Sequence, residues 1–219
     1  NGYSYNGHIH DRMGAVFAIV EGLPSLEKVL LVPFLEAQED LSSFSKGVLW
    51  TEALNRFTPQ KNEFERVAFD HPLFIMFSSG TTGAPKCIVH GHGGTLLQHV
   101  KEHRYHLDIC AGDRVFYFTT CGWMMWNWLV SALATKATLC LYDGSPAYPN
   151  ISTLFDYAAE EKISFFGTSA KFIEALKGAN VSPFKTHDLS ELRTIGSTGS
   201  PLSPASFNYV YAYIKRDVH

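Results

Sequence analysis

Apolar residues along this chain fall into short blocks whose period changes from segment to segment, and those changes predict its elements. Residues 11–22 (DRMGAVFAIVEG) carry a helical pattern stopped by Gly22 and Pro24, and Val29 to Pro33 then reads as a strand. Residues 36–72 are polar and mixed, a composition of helix and surface loop. Leu73 to Phe77 is a short unbroken apolar run with the character of a fully buried central strand. Cys87 to His90 reads as a second short strand, and residues 94–107 as a helix. The pattern then alternates: strand 115–119, helix 126–135, strand 137–142, helix 151–161, strand 163–166, helix 169–177, strand 193–196 and helix 203–215. Such alternation predicts an α/β architecture with a mainly parallel sheet flanked by helices. No internal repeat interrupts it.

Composition narrows the class. The 219 residues are 46% hydrophobic and 18% charged, enough to bury a substantial core and too apolar for a disordered chain. Eighteen Lys and Arg against 21 Asp and Glu give a net charge of −3, which argues against nucleic acid as the main partner. No apolar run is long enough for a membrane span. Cys87, Cys110, Cys121 and Cys140 show no CxxC spacing and read as reduced thiols, so a cytosolic (cytoplasmic) location is expected. The chain opens on Asn1 rather than Met, so an N-terminal truncation is expected.

The candidate chemistry begins where the Leu73–Phe77 run ends. Phe77-Ser-Ser-Gly-Thr-Thr-Gly-Ala-Pro-Lys86 leaves a strand through four hydroxyls and two glycines and closes on a lysine. Glycine lets main-chain N–H groups approach a ligand closely, and successive N–H groups form a concavity for anions. Hydroxyls add donors and Lys86 adds charge, so the segment suits polyphosphate. It does not match GxxxxGK[ST], because Lys86 follows Pro85 and no Ser or Thr comes next. A plain structural turn is the competing reading.

The full ten-residue string resembles the phosphate-binding loop of the adenylate-forming superfamily, which includes acyl-CoA synthetases, luciferases and peptide-synthetase adenylation domains. Thr119-Thr-Cys-Gly-Trp-Met-Met-Trp-Asn-Trp128 is similar to that family's acyl-pocket segment. Ser197-Thr-Gly-Ser-Pro-Leu202 is similar to the segment that wraps the adenine and closes the acyl pocket. Tyr142-Asp-Gly-Ser-Pro146 and Gly2-Tyr-Ser-Tyr-Asn-Gly7 resemble the branch of the acyl-CoA synthetases that activates acetoacetate. Together these cover nearly the whole chain. One departure is Gly199-Ser200-Pro201, where many relatives carry Gly-Glu-Pro; any adenine contact through that carboxylate is lost here.

The resemblance implies that residues 1–219 are part of the AMP-binding (adenylation) domain of an acid–thiol ligase. Its small-molecule partners would be acetoacetate, ATP and CoA, with Mg²⁺ bridging the phosphates. Ser78, Ser79, Gly80, Thr81, Thr82, Gly83 and Lys86 would hold the phosphates. Gly199, Ser200 and Pro201 would face the adenine, and Trp123, Met124, Met125, Asn127 and Thr198 would line the acyl pocket. No catalytic residue or metal ligand is assigned within these 219 residues. After STGSPL the sequence contains no aromatic-Thr-Glu motif, no later Gly-Asp for the ribose and no C-terminal lid with its lysine. These 219 residues alone are therefore expected to be inactive. Acetate or another short acid is the alternative substrate, and outside the class stands a non-catalytic fragment.

Some motifs compete with that reading. Taken without the resemblance, Trp123, Trp126 and Trp128 beside Met124 and Met125 read as core. His99-Val-Lys-Glu102-His103 fits HxxEH, the inverted zinc-peptidase pattern, with Glu174 as a conceivable third ligand. The blander reading is a polar helix face of His99, His103 and His106, with Leu96, Leu97 and Val100 inward. Gly112-Asp113 imitates a ribose-binding pair, but its position before the pocket motif suits a turn into the next strand.

Overall fold

The computed structural model describes residues 1–35, 41, 44–78 and 83–219, and the contacts among them divide the chain after Glu65. In the first unit, strands β1 (Gly2–Tyr5) and β2 (His8–Asp11) pair antiparallel. Asn6 and Gly7 turn the hairpin at φ 52° and 78°, as a two-residue turn between right-twisted strands requires. The Asp11 carboxylate accepts from the Met13 N–H at 2.8 Å, where helix α1 (Met13–Gly22) begins. Strands β3 (Val29–Leu31) and β4 (Gly47–Leu49) pair in parallel, and helix α2 (Trp50–Asn55) follows.

The second unit opens with β5 (Pro72–Ser78) and β6 (Lys86–Gly91), an antiparallel pair. Here the structure corrects the expectation of a fully buried central strand at Leu73–Phe77. Among the described residues β5 pairs with β6 alone, and its side chains alternate, with Ile75 and Phe77 exposed. An unbroken apolar run can also form a strand that leaves every second residue uncovered. Helix α3 (His92–Lys101) continues as a π-helical turn over Glu102–His106, so the helix predicted over 94–107 changes its winding near Lys101.

The remaining elements follow the predicted alternation: β7 (Arg114–Tyr117), α4 (Met124–Ser131) with a 3₁₀ turn at Ala132–Thr135, β8 (Thr138–Cys140) and α5 (Thr153–Glu160). Next come β9 (Phe165–Ser169), α6 (Ala170–Gly178), the short α7 (Pro183–Thr186), β10 (Thr194–Thr198) and α8 (Pro204–Tyr209), which ends in a π turn at Val210–Ile214. The four strands β10, β9, β7 and β8 lie in that order, every pair parallel. The α/β fold with a parallel, helix-flanked sheet is therefore present.

Alternation along the strands gives the sheet two buried faces. Val115, Tyr117 and Phe165 point to one face, where Trp128, Leu129 and Ala132 cover them. Phe116 and Phe166 point to the other, under Leu154, Phe155, Ile173, Leu176 and Ile214. Phe155 stacks on Phe166 with ring centroids 5.2 Å apart. Burying an aromatic of this size contributes about 2–3 kcal/mol, so these few rings hold helices and sheet together. No helix among the described residues is long and apolar enough to cross a membrane.

Candidate functional site

Topology selects the place. From β7 the chain passes to β8 on one side, then crosses back to β9 on the other and continues to β10. Connections leaving β7 and β9 therefore diverge to opposite sides, which opens a crevice at the carboxyl ends of those strands. Ligands bind at such switch points in open parallel sheets. Two of the segments singled out in the sequence leave from the carboxyl ends of β7 and of β10, the neighbour of β9. The Thr119–Trp128 segment follows β7, and Gly199-Ser200-Pro201 follows β10.

Two glycines inside strands shape this end of the sheet. A Cβ on Gly167 would lie 2.1 Å from Tyr117 Cδ2, and one on Gly196 would lie 2.8 Å from Phe165 Cζ. Each aromatic ring thus occupies space that the next strand vacates. Tyr117, the last residue of β7, uses that space to reach across the sheet. Its hydroxyl donates to the Thr168 carbonyl at 3.2 Å and shares a hydrogen bond with Thr198 Oγ1 at 2.5 Å. Burial raises the Tyr117 pKa, so the phenol keeps its proton and can donate. One side chain therefore ties together the ends of β7, β9 and β10. Tyr117 was not among the sequence candidates; the available signal was glycine within the strand patterns FFGTS and TIGST.

The candidate residues distribute unevenly. Thr198 belongs to this knot. Gly199 follows at φ 89° in open space, a conformation that favours glycine, and Ser200 and Pro201 are exposed beside it. Ser203 then caps α8, its hydroxyl accepting from Ser206 N–H at 3.2 Å, with Pro204 in the first turn. Trp123 is 70% exposed and Met124 47% exposed at the start of α4. Met125 instead packs against the buried cluster of Trp128 and Leu129. The tryptophans thus split: Trp128 is core, as the structural reading of the segment held, while Trp123 faces solvent. Asn127 is half-buried, and its amide lies 3.8 Å from Met76 Sδ of β5.

Strand β5 ends at Ser78, whose register partner across the hairpin is Lys86. The glycine-rich segment is therefore the connection between two paired strands. Gly83 within it has φ 99° with nothing near a Cβ, and Lys86 is exposed. Ser79, Gly80, Thr81 and Thr82 lie outside the described residues. Among the described residues of this connection, a positive-φ glycine and an exposed lysine are compatible with an anionic ligand.

The histidine segment corrects the expected helix face. His99 and His103 are buried and Leu96 and Leu97 exposed, the reverse of the expectation for these four, while His106 is exposed and Val100 half-buried as expected. The reason is polar partners on the inward side. His103 Nε2 lies 3.1 Å from the Trp128 carbonyl and 2.9 Å from Ser131 Oγ, and its ring sits against the Trp128 indole at 4.3 Å. A leucine could not serve that carbonyl and hydroxyl. Burial pushes the His103 pKa from its ordinary 6.5 to about 4, and burial also lowers His99. No cluster of three or more His, Cys, Asp or Glu able to hold a metal occurs among the described residues. Asp113 forms a turn as expected, with Oδ2 accepting from Cys110 N–H at 2.7 Å and Oδ1 paired with Arg193 at 2.6 Å. A partly open cavity of about 70 Å³ by Lys162, Asp188 and Leu192 lies at the amino ends of β9 and β10, the opposite end of the sheet from the crevice.

Comparison with known proteins agrees with this architecture. An acetoacetyl-coenzyme A synthetase of Rhizobium meliloti (strain 1021) is 53% identical over 219 residues, all of this chain and 33% of that protein. The acetoacetyl-CoA synthetase of Gallus gallus is 48% identical over 98% of this chain and 33% of its own length. The malonamoyl-CoA synthetase vrtB of Penicillium aethiopicum is 41% identical over 96% of this chain and 32% of its own. The solved structure of an acetoacetyl-CoA synthetase from Streptomyces lividans superposes with a TM-score of 0.87 at 40% identity, covering 96% of this chain and 32% of that one. The chain thus spans about a third of the length of the relatives it matches. The family of AMP-binding enzymes matches residues 8–218, which contain the crevice, the β5–β6 connection and the Trp–Met segment alike. This chain belongs to the AMP-binding enzyme family.

Proposed function

We propose that this chain supplies nucleotide and acyl contacts of an ATP-dependent ligase that joins acetoacetate to CoA. The observation that carries the reading is 53% identity over all 219 residues to a protein named acetoacetyl-coenzyme A synthetase. In the first half-reaction an acetoacetate carboxylate oxygen attacks the α-phosphorus of ATP, giving acetoacetyl-AMP and pyrophosphate. In the second the CoA thiolate attacks the acyl carbon and AMP leaves. The protein's share of such chemistry is mainly positioning and charge neutralisation. Lys86, Ser78 and the backbone around Gly83, with Ser79, Gly80, Thr81 and Thr82, hold the phosphates. Mg²⁺ neutralises phosphate charge when bound. Gly199, Ser200 and Pro201 meet the adenine. Trp123, Met124, Met125, Asn127 and Thr198 surround the acid. A cytosolic location accompanies this reading, because the four cysteines are free thiols; cell fractionation tests it.

The malonamoyl-CoA synthetase among the relatives supports a second substrate. Malonamate and acetoacetate both carry a carbonyl on the third carbon, which a single amide handle such as Asn127 can meet. The test is acid-dependent pyrophosphate exchange on the full-length protein with acetoacetate, malonamate, acetate and butyrate. Acetoacetate is expected to give the highest kcat/KM. A higher value for malonamate would move the assignment to that acid, and exchange with none of the four would overturn the ligase reading. Lys86→Ala is expected to raise the KM for ATP about tenfold or more, since a lost bond to a charged group costs about 1.5–3 kcal/mol. An unchanged ATP KM would remove Lys86 from the phosphate site.

A further inference from the structure

Trp128 is held from outside its own helix by two consecutive residues. Its indole N–H donates to Glu102 Oε2 at 3.0 Å, and the other Glu102 oxygen accepts from Gln98 Nε2 at 2.6 Å. His103 adds its ring against the indole and its Nε2 bonds to the Trp128 carbonyl and Ser131. Since a carbonyl can only accept, Nε2 carries the hydrogen, and Nδ1 is left buried without a partner. Glu102 and His103 open the π-helical turn, a local departure that places both consecutive side chains against α4. Such turns within helices occur frequently at functional sites.

The contacts continue past Trp128. Its ring meets Tyr117 edge-on at 5.9 Å, and the Tyr117 hydroxyl is bonded to Thr198. On the other side, Asn127 is the residue of α4 just before Trp128, and Met124 stands one turn earlier on the Trp128 side of the helix. A continuous line therefore runs from Glu102 through Trp128 and Tyr117 to Thr198, touching both halves of the acyl site.

We propose that Glu102 is a positioning residue for acyl selection: its bond to Trp128 sets the rotation of α4, and with it the placement of Met124, Asn127 and Thr198 around the acid. This rests on the acid-binding role given to those residues above. Glu102 does not itself meet substrate. Its effect falls on recognition of the acid and leaves recognition of ATP alone.

The test compares Glu102→Ala, Glu102→Gln, Trp128→Phe and the Glu102→Ala/Trp128→Phe pair in the full-length enzyme, measuring KM for acetoacetate and for ATP separately. Trp128→Phe deletes the N–H while keeping a buried ring, so it carries the comparison even where Glu102→Ala does not fold. The expected result is an acid KM raised about tenfold in Trp128→Phe and in Glu102→Ala, with the ATP KM within twofold of wild type. Glu102→Gln, whose amide oxygen still accepts, stays near wild type. The double variant matches the single ones in acid KM, because each removes the Glu102–Trp128 bond, and the Gln98 bond also lost in Glu102→Ala lies on the exposed side of α3. Equal changes in both KM values, or an acid KM unchanged in Trp128→Phe, would overturn the proposal. A wild-type enzyme that prefers another acid would instead revise the substrate, and the same split between that acid and ATP would still decide the role of Glu102.

Discussion

Gly167→Ala is the smallest change that should disturb both the sheet and the site. The added methyl would lie 2.1 Å from Tyr117 Cδ2 and 2.6 Å from Cγ and Cε2, whereas ordinary contact begins at 3.4 Å. The Tyr117 ring must therefore retreat by more than about 1 Å, towards a Trp128 ring that already touches it. Overpacking of this kind costs about 1–3 kcal/mol. The retreat also withdraws the hydroxyl from Thr168 and Thr198, at about 1 kcal/mol for each bond. The expected destabilisation is then about 2–5 kcal/mol, read as a lowered urea midpoint in the full-length protein. Because the penalty arises from one ring, removing that ring should remove most of it. Gly167→Ala should cost less than about 1 kcal/mol when introduced into Tyr117→Leu, a coupling that a double-mutant cycle resolves. A Gly167→Ala protein within about 0.5 kcal/mol of wild type, or strictly additive penalties, would refute the reasoning.

Other outcomes follow from the same geometry. The folded state holds His103 at a pKa of about 4 against an unfolded value near 6.5, so its contribution is complete above pH 6.5 and is lost as pH falls towards 4. His99, lowered in the same direction, adds to the trend. Between pH 7 and pH 5 the wild type should lose about 2 kcal/mol that His103→Gln does not lose; parallel pH profiles of unfolding for the two proteins would rule this out. Met124 and Met125 should separate: Met124→Ala, at an exposed position, shifts preference towards longer oxo acids with under about 1 kcal/mol lost in stability. Met125→Ala, packed on the core cluster, should cost about 2 kcal/mol or more in stability. Identical effects on acid ranking and unfolding in the two variants would contradict this division.

Much of the architecture was legible because it rests on local chemistry. The alternation from residue 115 onwards reports helices and strands buried against each other, and each block there became the element its period implied. Where pairing decides, the pattern was silent. Nothing within Leu73–Phe77 says that its neighbour is the antiparallel β6, because apolar content records burial potential and not the partner strand. The three-residue β4 is held by β3 across a long stretch of sequence, and is too short to announce a period of its own. The inverted sidedness of α3 has a similar origin. His103 faces inward because Trp128 and Ser131 offer it a carbonyl and a hydroxyl, and those belong to another helix. At the candidate site, glycine, hydroxyl and tryptophan content marked the segments, since their chemistry is unusual in itself. Tyr117 escaped notice, and Glu102 and His103 stood out only as an HxxEH pattern, because the importance of all three comes from what they touch.

The pairing of β7 with β9 has a consequence for how the crevice comes into being. Arg114 bonds to Ser164 across 50 residues of sequence, and β8 with α5 must be led out and back before that contact closes. Loop closure over such a span costs entropy that short-range contacts do not, and it slows assembly. A partly formed chain holding only β7, α4 and β8 has helices, a core face and the Trp–Met segment, yet no crevice. Its tyrosine would have neither threonine to hold. The crevice at this end of the sheet is thus a property of the finished topology, reached only when that excursion of the chain has been brought home.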